Sequence, residues 1–126
     1  MTQRAESLFA SFRYATAGLR YLLVSQRNAR VQSGIGVVAL ALAAILRVSR
    51  VEWAIITLLI ALVLTLEALN SAIEATVDLV TSDYHPLAKI AKDVAAGAVW
   101  LMAIASAVIG AIIFLPPLLA LWAGSR

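Results

Sequence analysis

Residues 53–78 read WAIITLLIALVLTLEALNSAIEATVD, an apolar run that continues directly into a polar one. The first fourteen residues carry no charge, whereas Glu67, Glu74 and Asp78 follow within the next twelve. An ionisable group inside or at the edge of a bilayer is expensive, and such groups usually mark a function. The stretch therefore predicts a membrane-spanning helix that carries a polar site near one of its ends.

The composition of the whole chain favours a membrane protein. Of its 126 residues, 63% are hydrophobic and 13% are charged, which is far more apolar than a soluble domain. A single domain of this length, residues 1–126, could not bury so much apolar surface in water. The chain has no cysteine, which excludes disulfides, thiol nucleophiles and cysteine-ligated metals. We interpret the net charge of +3 as a membrane-topology signal rather than as a nucleic-acid-binding surface.

Hydrophobic runs and helical periodicity predict an all-α fold. Transmembrane helices are predicted over residues 31–47, 52–80 and 86–115, and Pro116-Pro117 is expected to end the last one. Residues 4–25 repeat apolar residues at helical spacing, which predicts an amphipathic helix on the membrane surface. A helix packed against the other helices outside the membrane fits that pattern equally well.

The basic residues predict the orientation in the cell membrane. Seven of them fall on one side, if the chain crosses the membrane three times: Arg4, Arg13, Arg20, Arg27, Arg30, Lys89 and Lys92. The other side has only Arg47, Arg50 and Arg126. By the positive-inside rule, the N-terminus and the 81–93 loop are cytoplasmic.

The polar residues after residue 66 share one face of their helix. At about 100° per residue, Glu67, Asn70, Glu74 and Asp78 fall within roughly 80° of one another; we call these four residues the polar stripe. At about 1.5 Å per residue, Glu67 lies roughly 22 Å from residue 52, near the cytoplasmic face of a core about 30 Å thick. Glu74 should already reach water, so the stripe could join a lipid substrate to a water-soluble one.

Several chemistries suit these residue types. Clustered carboxylates can act as a general base, relay protons, or bind a hard cation through oxygen. Lys92 and Asp93 begin the third span on the same side as Glu74, and a lysine at a helix start is suited to contact a phosphate. Carboxylate, metal and lysine together are what phosphoryl transfer needs. Two other hypotheses remain: a small proton- or ion-translocating protein, and a scaffold whose carboxylates pair with arginines.

Two motifs, EALNSAIEATVD at 67–78 and YHPLAKIAKDVAAGAV at 84–99, resemble a known family. They look like the signature of the small prokaryotic integral-membrane lipid kinases, diacylglycerol kinase and undecaprenol kinase. The second motif is more similar to the undecaprenol kinase branch. The resemblance implies a homotrimer with shared active sites that transfers the γ-phosphate of Mg-ATP to a lipid hydroxyl at the cytoplasmic face.

The resemblance also implies roles for single residues. Glu67 matches the catalytic base and Glu74 a Mg²⁺ ligand, and the matched nucleotide- and phosphate-site residues are Asn70, Asp78, Lys92 and Asp93. The family often has a glutamate ligand where SQRNAR, residues 25–30, has Gln26. A glutamine oxygen can bind Mg²⁺ but adds no charge, so we expect Gln26 to hold a weaker second ion or to contact a phosphate.

These observations lead to one hypothesis. The chain is predicted to be an ATP- and Mg²⁺-dependent lipid kinase, with undecaprenol favoured as acceptor over diacylglycerol, whose phosphorylation would give phosphatidic acid. Its expected partners are ATP, the lipid substrate, the bilayer and two further copies of the chain, without nucleic acid.

Overall fold

The computed structural model describes residues 3–124, with side chains from residue 7 onward, and folds into helices. The helices are α1 (Gln3–Ser25), α2 (Arg27–Leu46), α3 (Arg50–Val80) and α4 (Pro86–Gly124). By length and composition, α2, α3 and α4 could each cross a membrane. The predicted all-helical fold with three such helices is therefore confirmed. Arg126 and the side chain of Arg4, both used to predict the orientation, lie outside the described residues.

A single residue, Gln26, separates α1 from α2. Its backbone is extended, with φ −97° and ψ 115°. Its N–H donates to the Leu22 carbonyl at 3.0 Å, and its carbonyl accepts from the Arg30 N–H at 3.3 Å. The Arg30 guanidinium also donates to the Val24 carbonyl, which satisfies one of the open acceptors at the end of α1. Because hydrogen bonds rather than apolarity set the boundary, α2 begins four residues before the predicted span.

The exposure of α1 changes along its length. Leu22 near its end is 4% exposed, whereas Leu8, Phe9 and Phe12 are 70–72% exposed. The helix therefore packs against the bundle only through its last turns, and most of its large apolar side chains are left uncovered. This agrees poorly with a helix packed along the other helices, and the surface location stays a prediction.

A three-residue connection joins α2 to α3. Arg47 caps α2 in the left-handed conformation, with φ 53° and ψ 45°. At the start of α3, the Ser49 N–H donates to Glu52 Oε2 at 2.7 Å, and the Glu52 N–H donates to Ser49 Oγ at 3.3 Å. This capping box satisfies two open donors of the first turn. It starts α3 at Arg50, two residues before the predicted boundary.

The predicted end of the last helix at Pro116-Pro117 is wrong, because α4 continues through both prolines to Gly124. A proline ring holds φ near −65°, which is a helical value, and what it removes is an N–H donor. The flanking residues, FL before the pair and LLALW after it, are apolar and helix-compatible. Membrane helices tolerate proline more readily than soluble ones, since neighbouring groups and local adjustments satisfy the freed carbonyls.

The core lies where α3 packs against α2 and α4. Buried Ala43, Ile56 and Ile113 bring the three helices together there. Closer to the middle of α2, Gly36 faces Ile60 of α3, and a Cβ built on Gly36 would lie 3.1 Å from Ile60 Cγ2. Gly36 thus lets the two helices approach closely, as small residues commonly do in membrane bundles.

We expect Gly36→Ala to destabilise the fold, and Gly34→Ala serves as the matched control because its Cβ would meet nothing within 4 Å. Both changes replace a glycine in the helix interior by alanine, and alanine stabilises a helix by up to about 1 kcal/mol relative to glycine. Only Gly36→Ala overpacks the α2–α3 contact, at a cost of about 1–3 kcal/mol. Thermal unfolding in detergent micelles should place Gly36→Ala below Gly34→Ala. Equal midpoints would show that Ile60 moves aside without cost.

Candidate functional site

The polar stripe continues the face of α3 that is buried in the bundle. Ile56 is buried on this face, and Glu67, Asn70 and Ser71 are buried about three to four turns further along. These positions follow one another at helical spacing. A single face of α3 therefore begins as part of the core and ends as a polar site.

Glu67 is the buried charge in the described part of the chain, at 2% exposure. Ion pairs among the side chains of residues 7–124 are Lys89–Asp93 and Lys92–Asp78, so no described arginine or lysine pairs with Glu67. Burying a carboxylate without a cationic partner is costly. The scaffold hypothesis required arginine partners for the carboxylates, and the described residues supply none. A buried ionisable group of this kind is a candidate functional residue.

Asn70 and Glu74 form a hydrogen-bonded pair one turn further along α3. The Asn70 Nδ2 donates to Glu74 Oε1 at 3.1 Å, which fixes the orientation of the amide. The Asn70 Oδ1 is buried and has no hydrogen-bond partner among the described residues. Glu74 itself is half-buried. The pair thus holds a carboxylate and an open amide oxygen at the border between the buried face and solvent.

These oxygens are of the chemical type that binds Mg²⁺. No group of three or more His, Cys, Asp or Glu residues that could hold a metal alone is found in the described part of the chain. Mg²⁺ does not require one, since it is usually bound by one or two carboxylates together with phosphate oxygens and water. The Glu74 carboxylate and the unpartnered Asn70 Oδ1 are ligands of that type.

Ser71 belongs to the site although the sequence analysis missed it. It is 8% exposed, and its Oγ donates to the Glu67 carbonyl at 2.9 Å. The bond satisfies the hydroxyl within α3, so a buried polar residue can share the face of Glu67 without a partner from another helix. The signal that could have found it is its position four residues after Glu67.

Lys92 and Asp93, adjacent in sequence, face different surroundings. Lys92 lies on the same face of α4 as buried Ala95 and Val99 and reaches Asp78 at the end of the polar stripe. Asp93 is exposed and pairs with Lys89 on its own helix. The structure therefore joins Lys92 to the stripe and does not join Asp93 to it.

Gln26 is half-buried at the junction of α1 and α2. No hydrogen bond links its side chain to the polar stripe within the described residues. Its place beside the metal or the phosphates stays a prediction, which is supported only by its position at the start of α2. Because successive helices alternate in direction, the start of α2 lies at the same end of the bundle as the end of α3.

Comparison with known proteins supplies independent information. The family model described as prokaryotic diacylglycerol kinase matches residues 13–114. A diacylglycerol kinase of Synechocystis sp. is 48% identical over 120 residues, which are 94% of this chain and 69% of that protein. An undecaprenol kinase of Bacillus subtilis is 46% identical over 110 residues, 87% of this chain and 89% of that protein. A diacylglycerol kinase of Escherichia coli K12 is 40% identical over 97 residues, 76% of this chain and 78% of that protein.

Proposed function

Because this chain belongs to the prokaryotic diacylglycerol kinase family and is a lipid kinase, we propose that it transfers the γ-phosphate of ATP to undecaprenol, favoured over diacylglycerol. The observation that carries the site is the buried Glu67 carboxylate, which lies one turn from the Asn70–Glu74 pair. A base that accepts a proton from a lipid hydroxyl has to lie within the membrane-spanning part of the bundle. Groups that bind a nucleotide have to lie closer to the aqueous phase. The stripe offers both in that order.

We infer the following roles within the stripe. Glu67 accepts the proton of the lipid hydroxyl as the hydroxyl oxygen bonds to the γ-phosphorus, and the bond from that phosphorus to the bridging oxygen breaks to release ADP. No described cation competes for the Glu67 carboxylate. Glu74 and the Asn70 Oδ1 would hold Mg²⁺, which supplies charge neutralisation on the phosphates when bound. Lys92 contacts a phosphate. The chain itself contributes mainly positioning and electrostatic stabilisation.

Other parts of the proposal concern groups further from Glu67. Asp93 is proposed as a nucleotide-site residue on the basis of its motif position. Gln26 is proposed as a weak second Mg²⁺ ligand. Assembly as a homotrimer, with the active site at the cytoplasmic face of the cell membrane, is proposed together with them. The seven predicted cytoplasmic basic residues support the orientation.

The preference for undecaprenol depends on the motif at 84–99. Overall identity does not separate the acceptors, since relatives named for each are 48% and 46% identical to this chain. The deciding experiment measures ATP turnover in detergent micelles with undecaprenol, with diacylglycerol, and with no added lipid. Turnover that depends on undecaprenol supports the proposal, and faster turnover with diacylglycerol reverses the preference. Proton flux through reconstituted vesicles without lipid phosphorylation would favour the ion-translocating alternative.

We expect Glu67→Gln to lower turnover by about 10²–10⁴-fold, the usual loss when a general base is removed. The amide keeps the shape of the side chain but cannot accept a proton from the hydroxyl. ATP affinity, measured by equilibrium binding, should change little because the nucleotide contacts lie further along the stripe. Wild-type turnover in this variant would remove Glu67 from the role of base.

We expect Gln26→Glu to lower the Mg²⁺ concentration that gives half-maximal turnover. The change adds a negative charge to an existing oxygen ligand, and a hard cation is bound more strongly by a carboxylate than by an amide. Gln26→Ala should raise that concentration or leave it unchanged, and Glu74→Ala should raise it more. A higher Mg²⁺ requirement in Gln26→Glu than in the parent would show that no ion is bound at this position.

A further inference from the structure

We propose that Asp78 is a positioning residue, which holds the Lys92 ammonium over the polar stripe before the nucleotide binds. The inference rests on the proposed function of Lys92 as a phosphate contact. It replaces the role that motif position implies for Asp78, a direct contact to the nucleotide. A carboxylate repels phosphate, and the structure gives Asp78 a cationic partner instead.

The ion pair joins two helices that the sequence separates. Asp78 Oδ1 accepts from Lys92 Nζ across fourteen residues, from the last turn of α3 to the second turn of α4. Asp78 lies one turn beyond Glu74 on the same face of α3. Lys92 enters the stripe from the face of α4 on which Ala95 and Val99 are buried. The ammonium is thus held at the solvent end of the stripe, next to the oxygens proposed to bind the nucleotide.

The bridge is not needed to close the turn between the helices. In the 81–85 connection, Thr81 Oγ1 donates to the Asp83 carbonyl and accepts from the Asp83 N–H, each at 3.2 Å. His85 Nδ1 accepts from the Leu87 N–H at 3.2 Å and so caps the start of α4. Local hydrogen bonds therefore set the course of the connection without Asp78.

The exposure of the pair also speaks against a mainly structural role. The side chains of Lys92 and Asp78 are 38% and 64% exposed. Ion pairs this open to solvent contribute little to folding, because water screens them and ordering the side chains costs entropy. A lysine has a flexible four-carbon stem, so an anion that fixes its end removes an ordering cost from phosphate binding. What Asp78 can do is present the ammonium to an incoming anion.

The test is a double-mutant cycle in MgATP binding. Asp78→Asn should weaken equilibrium binding of MgATP, and raise KM for ATP, by about three- to tenfold, which is in the lower part of the range expected for contacting side chains. The turnover number should change less than KM. In the Lys92→Gln background, Asp78→Asn should have no further effect, because its action runs through the ammonium. Asp78→Glu, which keeps the charge, should recover part of the affinity.

Asp83→Asn provides the matched control. It removes one negative charge five residues from Asp78, in the adjoining connection. Among the described residues, Asp83 forms hydrogen bonds only through its backbone. Affinity should stay at the parent value in this variant, and the thermal midpoints of all variants should lie together. An equal loss in Asp83→Asn would assign the effect to general electrostatics and overturn the proposal.

Two further outcomes would also overturn it. Unchanged affinity in Asp78→Asn would show that Lys92 needs no positioning. Additive losses of Asp78→Asn and Lys92→Gln would show that Asp78 contacts the nucleotide independently. The proposed function fails separately: in that case the cycle shows coupling in ATP binding, but the parent phosphorylates no lipid.

Discussion

The burial of a carboxylate with no described cation beside it is the constraint on which the site depends. Glu67 can be buried only on a face of α3 that the neighbouring helices cover, and that face is set by the apolar packing at Ile56 and Ile60. The apolar half of α3 therefore fixes the rotation of the polar half. Because a helix is rigid over this length, any change that rotated α3 in the core would also turn Glu67 toward lipid, where its burial would be far more costly.

The polar half of α3 has a graded environment. Glu67 and Asn70 are buried, at 2% and 8% exposure, whereas Glu74 is half-buried and Asp78 is exposed. The stripe becomes more exposed to water from Glu67 to Asp78. The roles proposed for its residues follow the same order, from lipid hydroxyl to nucleotide. In the proposed reaction, the hydroxyl of a lipid in the membrane meets a base, whereas ATP and its ion come from solution. Under the proposed function, one amphipathic face would serve two substrates of opposite solubility without a separate domain for each.

The sequence was sufficient to predict the helices and the stripe, since both follow from periodicity. Fourteen uncharged residues followed by polar ones at helical spacing permit few other structures. Boundaries were predicted less well, because they depend on particular hydrogen bonds: the Ser49–Glu52 capping box extends α3, and Gln26 alone interrupts the first two helices. The two prolines in α4 do not end the helix. A proline removes one N–H donor, but its φ angle remains compatible with a helix. Motif position could not predict that Lys92 and Asp93 face different surroundings. It assigns both residues to one site, although side chains of adjacent residues on a helix point about 100° apart.

The connection between α2 and α3 has a consequence for how the chain can vary in length. Residues 47–49 are fixed at both ends, by the left-handed Arg47 cap and by the bonds that join Ser49 to Glu52. One inserted residue would break one of these two arrangements and shift the register in which α2 meets α3, including the close approach at Gly36. The hairpin therefore behaves as a unit of fixed length. Additional residues, such as an inserted tag, are therefore not compatible with this turn.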